Sequence, residues 1–169
     1  MMTDIPELPH ISNLTINIIK TWYSDGHRIG ATVAKLIAKC TNIQYLSINN
    51  RPMYEECNDP NCICDHPRGW EDQKIPLENL RNVDICDGQL LLSNVRLVQL
   101  LLSSAPALER MTVIQETEFE EDEVVEFDVP CYGGHWAPCV WECDTWGSIC
   151  AKKYTWAPGK QSGEREDNG

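Results

Sequence analysis

Four short stretches of the chain share one spacing, apolar-x-x-apolar-x-apolar: Ile11/Leu14/Ile16, Ile43/Leu46/Ile48, Leu80/Val83/Ile85 and Leu108/Met111/Val113. The last two apolar residues of each set alternate with polar neighbours at period two, so each set predicts a strand with one buried face. From one set to the next the offset is about 32, 37 and 28 residues, around or beyond the roughly 20 to 29 residues of a leucine-rich repeat. Between the first and second sets, Ile29, Val33, Leu36, Ile37 and Cys40 form one stripe of a helix, ended by Thr41 and Asn42. Between the third and fourth, Ser93 is placed to cap a helix whose Val95, Val98, Leu101 and Leu102 face the sheet, and Pro106 stops it.

A strand-helix unit of this kind is apolar on two sides and is stable only against neighbours. The pattern therefore predicts an α/β fold: an irregular leucine-rich-repeat solenoid of about four strand-helix units, its strands on the concave side. An ordinary α/β arrangement meets the same spacing, and the alternating helices favour the solenoid. The Asn or Cys that usually closes the repeat signature is missing, since Ile19, Arg51, Gly88 and Glu116 stand there. The repeats span 1–114. Their middle, Arg51 to Pro76, carries Pro52, Pro60, Pro67 and Pro76 and three cysteines in place of a helix, because proline at that density forbids one. An acidic segment follows at 115–130, then a Cys/Trp-rich cap at 131–159 and a polar tail at 160–169 that reads as disordered.

The stretch Cys57-Asn-Asp-Pro-Asn-Cys62-Ile-Cys64-Asp-His-Pro-Arg-Gly-Trp70, followed by Ile75-Pro-Leu77-Glu-Asn-Leu80-Arg-Asn-Val83-Asp-Ile85, resembles the FBD region of plant F-box/leucine-rich-repeat proteins. Leu100-Leu-Leu-Ser-Ser-Ala-Pro-Ala-Leu108-Glu-Arg-Met-Thr-Val113 resembles that family's closing repeat. The likeness is close over 57–113. It is looser before Cys57, and Trp136-Ala-Pro-Cys139-Val-Trp141 and Tyr154-Thr-Trp156-Ala-Pro-Gly159 look similar to endings in grass members. The resemblance implies the substrate-recognition arm of a Skp-cullin-F-box ubiquitin ligase, in which repeats hold a target protein. The first strand signal begins near Ile11, where an F-box would stand, and Asp4-Ile-Pro-Glu-Leu-Pro9 echoes only its opening. The chain by itself is thus not expected to bind the Skp adaptor, which belongs to a longer form with an F-box. The alternatives are a truncated scaffold or decoy that binds a target without a ligase, and a small zinc-binding module.

Composition narrows the partners. A net charge of -12 argues against phosphate backbones and anionic membranes, since a nucleic-acid binder needs a basic face. Eight Asp or Glu residues with no base lie between Glu116 and Asp128. They read as a solvated linker, an edge strand guarded by charge, or a dock for a basic partner. No apolar run approaches the roughly 20 residues that span a bilayer. The start, Met1 to Glu7, has neither the basic nor the apolar part of a signal peptide, so an intracellular protein, cytoplasmic or nuclear, is expected. Its nine cysteines should then stay reduced.

Cys57, Cys62, Cys64 and His66 offer four ligands of the types that satisfy tetrahedral zinc. Against zinc stands the Cys-x-Cys spacing, which in an extended chain sends two sulfurs to opposite sides; plain thiols in a rigid loop are the other reading. Cys131, His135, Cys139 and Cys143 recur every four residues, but Gly133, Gly134 and Pro138 deny them a helix. Trp136, Trp141, Trp146 and Trp156 read as a cover for the open edge of the repeats. No nucleophile, phosphate-loop or paired-carboxylate motif occurs, so no catalytic residues are expected and the chain reads as a protein-binding module. Its candidate contacts are the residues beside the buried strand positions: Asn13 and Thr15, then Tyr45, Ser47, Asn49, Asn82, Asp84, Arg110 and Thr112, with Tyr45 and Arg110 foremost because aromatic and Arg side chains dominate interface energetics.

Overall fold

The computed structural model describes residues 4–18, 28–50, 57, 59–87, 92–117, 129–143 and 150–159. Each of the four spacings lies on or next to a strand: β1 (Asn13–Ile18), β2 (Tyr45–Asn50), β3 (Asn82–Asp87) and β4 (Arg110–Thr117). Two helices accompany them, α1 (Gly30–Ile37) after β1 and α2 (Leu92–Ser104) after β3. Three more strands follow, β5 (Gly134–Trp136), β6 (Val140–Cys143) and β7 (Cys150–Pro158).

Strands β1 to β4 pair in parallel and in sequence order. Strand β7 then pairs antiparallel with β4, and β5 and β6 pair antiparallel with β7 on its other edge. Because the pairing is in register, the inward residues form lateral rows. Leu14, Leu46, Val83, Met111 and Trp156 make one row, and Ile16, Ile48, Ile85, Val113 and Tyr154 the next. The helices pack on this side, contributing Ala31, Val33, Ala34 and Ile37 from α1 and Leu97, Val98, Leu100, Leu101 and Leu102 from α2 to one core. Burial of such side chains, at about 1.5–3 kcal/mol each relative to exposure, is what holds helix to sheet.

Before every parallel strand the backbone makes the same turn, Leu8 to Ile11, Cys40 to Ile43, Leu77 to Leu80 and Ala105 to Leu108. Each unit is also laced to the one before. The amides of Tyr45, Asn82 and Arg110 donate to the carbonyls of Ser12, Gln44 and Arg81, leaving few backbone groups unpaired at the strand entries.

The architecture corrects the expected solenoid. Among the described residues seven strands stand against only two helices, of 8 and 13 residues, and the antiparallel β7, β5 and β6 make the sheet mixed. This is a small strand-rich fold. The apolar spacing reports which strand positions face a core, and any parallel strand covered on one side meets it; it does not report whether units continue in one direction. Residues 134–158 extend the sheet edge to edge through β7, with Trp156 buried, Trp136 partly buried and Trp141 half exposed. Trp146 lies outside the described residues, as do most of the acidic run (118–128) and the tail from 160.

The expectation that all cysteines stay reduced is corrected too. Cys143 and Cys150 form a disulfide where β6 and β7 pair. Nearby, Lys152, only 6% exposed, places its Nζ 4.4 Å from the centroid of the Trp141 ring. A cation over an aromatic face recovers part of what burying the ammonium costs. No helix among the described residues is long and apolar enough to cross a membrane.

Candidate functional site

The face of β1 to β4 opposite the helices carries the polar residues of the strands, aligned by the same register as the core. One row runs Asn13, Tyr45, Asn82, Arg110; the next runs Thr15, Ser47, Asp84, Thr112; a third starts Asn17, Asn49, Cys86. Every contact residue proposed from the sequence therefore lies on one face of the sheet, although Thr112 is buried there and is not open to a partner. Alternation along each strand places them there, and parallel in-register pairing brings residues from four distant parts of the chain side by side.

Hydrogen bonds organise this surface. Tyr45 donates its hydroxyl proton to Asp84 Oδ2 at 2.7 Å, a diagonal reach between adjacent strands. Accepting that bond, the Asp84 carboxylate holds the Tyr45 phenol above its ordinary pKa, with partial burial acting in the same direction and the Arg110 charge opposing both. Asn49 donates its side-chain amide to Asn17 Oδ1 at 2.7 Å. Thr112 is 6% exposed, whereas Arg110 and Asn13 are open to solvent. The surface is thus polar and held in place at its centre, with a cation at one end. Sequence reasoning missed Asn17 and Cys86, although both follow from the same alternation.

The second constellation sits between β2 and β3. Here the chain crosses the sheet without a helix among the described residues, using two 3-10 turns at Ile63–Asp65 and Trp70–Asp72. The turn before the first is built by Asp59, whose Oδ1 accepts from the Asn61 amide and whose carbonyl accepts from the Cys62 amide. Gly69, at φ 75°, adopts the left-handed conformation that glycine tolerates and precedes the buried Trp70.

The sulfurs of Cys57, Cys62 and Cys64 converge, all within 4.8 Å of one another. The objection to a Cys-x-Cys pair fails because the chain is not extended there: the turn at Ile63 sends that side chain outward, 73% exposed, and leaves both cysteines on one side. The Cys64 amide donates to the Cys62 sulfur and lowers that thiol's pKa, aided by the side chains of Cys64 and Cys57. Burial pushes Cys64 up to about 11, against the pull of the Arg28 backbone amide donated to its sulfur. Three thiols so arranged can hold a metal ion. His66 does not join them; it is exposed and lines a shallow groove with Lys35, Asn61, Ile63 and Pro67.

The tail set is not brought together as a ligand group. Cys143 is in the disulfide, and Cys131 and Cys139 are exposed free thiols. Among the described residues the three-cysteine loop is the one cluster of three or more metal-ligating side chains. The chain matches no protein family, no curated protein and no solved structure with which it was compared.

Proposed function

We propose that the chain is a non-catalytic protein-binding module that holds a partner protein on the polar face of β1 to β4. The observation that carries this reading is the lateral alignment of Tyr45, Ser47, Asn49, Asn82, Asp84 and Arg110 on the side opposite the helices, with Thr112 buried beneath the same face. An interface needs a few well-supported anchors amid polar complementarity, and Tyr45 fixed by Asp84 beside Arg110 supplies them. The resemblance of 57–113 to the FBD region favours the substrate-recognition role of a plant ubiquitin ligase, with Skp contact made by a longer form that carries an F-box. A scaffold or decoy would use the same face. Zinc is an ion whose preference for thiolates the Cys57/Cys62/Cys64 loop fits, these cysteines supplying three of its four ligands.

The test is affinity capture from plant extract with the wild-type chain and with Tyr45→Ala/Arg110→Ala, scored by mass spectrometry for Skp, cullin and other partners. Proteins held by the wild type and lost by a double variant that melts normally identify the partner and the face. Capture that is unchanged in the double variant dismisses this surface. Skp and cullin among the lost proteins favour the ligase role; a partner lost without them favours the scaffold.

A further inference from the structure

The two halves of the β2–β3 connection dock by different means. In the second half Trp70, Ile75, Leu77 and Leu80 are all buried, and the turn Trp70–Asp72 packs against both helices. In the first half, no residue whose exposure is described between 57 and 66 is buried, and the one large apolar side chain, Ile63, points to solvent. Yet the turn Ile63–Asp65 lies against α1, and the Arg28 amide just ahead of that helix meets the Cys64 sulfur. Apolar burial does not account for that docking. The inward side of this segment instead carries the three converging thiols.

We propose that a zinc ion bound by Cys57, Cys62 and Cys64 staples the first half of the β2–β3 connection into one closed loop, and so holds the Cys64 sulfur where it accepts from the Arg28 amide at the start of α1. This rests on the zinc reading above and adds what the ion does. Thiolates on one tetrahedral zinc, at about 2.3 Å from the metal, stand about 3.8 Å apart. The sulfurs, already within 4.8 Å of each other, need close by no more than about 1 Å to share an ion. Amide donation from Cys64 and Arg28 to two of the sulfurs is the second-shell support that metal thiolates need, because each bond offsets part of the negative charge gathered there. On binding, each thiol gives its proton to solvent and its sulfur forms a bond to the metal, so metal uptake and ordering of the segment become one equilibrium. The ion contributes here what a buried helix face contributes elsewhere in the molecule.

The experiment uses the full chain, purified under reducing conditions and stripped with a chelator, with Zn²⁺ and Co²⁺ as probes. Metal analysis and the sulfur-to-cobalt charge-transfer band report binding. Amide hydrogen exchange, read by NMR, reports docking. One ion per chain is expected, together with exchange slowed by about tenfold or more at the amides of Cys64 and Arg28 when zinc is added. Cys62→Ser should lose both effects and Cys131→Ser, outside the cluster, should keep both. Should Cys62→Ser fail to fold, the comparison of the stripped and zinc-loaded wild type decides alone. Metal bound without protection of those amides overturns the staple and leaves the zinc reading standing; no metal and no charge-transfer band overturns both.

Discussion

Two connections carry the chain across the same side of the sheet, and they do so by opposite strategies. Between β3 and β4 the helix α2 lays down Leu97, Val98, Leu100, Leu101 and Leu102, a broad apolar contact that depends on no other agent. Between β2 and β3 only the second half works this way, burying Trp70, Ile75, Leu77 and Leu80, while the described residues of the first half offer a 3-10 turn and three half-buried thiols on its inward side. The β3–β4 connection is held by area, and the first half of the β2–β3 connection by points. Area is tolerant: losing one side chain leaves several. Points are not, and they bring sensitivity to metal and oxidant that the helix lacks.

The sharpest way to break this contrast is to truncate one anchor on each side. Trp70→Ala should cost about 3–5 kcal/mol in urea denaturation, since it deletes a large side chain only 1% exposed. Leu101→Ala should cost about 2–5 kcal/mol, and its cost should be the same in stripped and zinc-loaded protein, whereas a zinc-dependent difference would erase the distinction between the two connections. The disulfide extends the comparison to the C-terminal strands. It closes a loop with a sequence separation of 7, so Cys143→Ser/Cys150→Ser should lower stability by about 2 kcal/mol on chain-entropy grounds. That loss should appear as faster amide exchange in β6 and leave β1 to β4 protected. The smallest effect is expected at the surface ion pair Arg81–Glu109, 2.7 Å long with both side chains more than half exposed. Arg81→Ala should change the urea midpoint by no more than about 1 kcal/mol equivalent, and raised salt should cancel it.

How much of this was legible in the sequence follows from the range of the forces involved. The four parallel strands stand where the Leu/Ile/Val spacing puts them, because alternation is a local consequence of the pleat and needs no knowledge of neighbours. The helices follow from their stripes, although α2 starts at Leu92, which places Ser93 inside the helix and not at its cap. The shared polar surface was readable for the same reason: the residue next to a buried strand position faces the other way. What sits at longer range was hidden. Strand β7 reads Cys150, Lys152, Tyr154, Trp156 on its inward side, and the lysine breaks the apolar alternation that would have announced a strand; its charge is accommodated by Trp141, eleven residues away in sequence and adjacent in space. The Cys143–Cys150 pairing cannot be deduced from nine cysteines. Convergence of the thiols depended on one local turn, and Asp59-Pro60-Asn61, with its side-chain-to-amide bond, was the signal that the chain would not run extended through Cys62 and Cys64.

The order in which the sheet is assembled has a consequence for synthesis. Strand β4 finds β3 only 23 residues behind its own first residue, but its other neighbour, β7, begins at Cys150. While the chain emerges from the ribosome, the parallel half can therefore pair before β7 exists, and for that interval Met111–Thr117 presents a bare line of amides and carbonyls to other chains or to a chaperone. A chain that stalls or is cut inside 118–149 is left in that condition for good. Truncations in this window should therefore aggregate more readily than ones made upstream of β4.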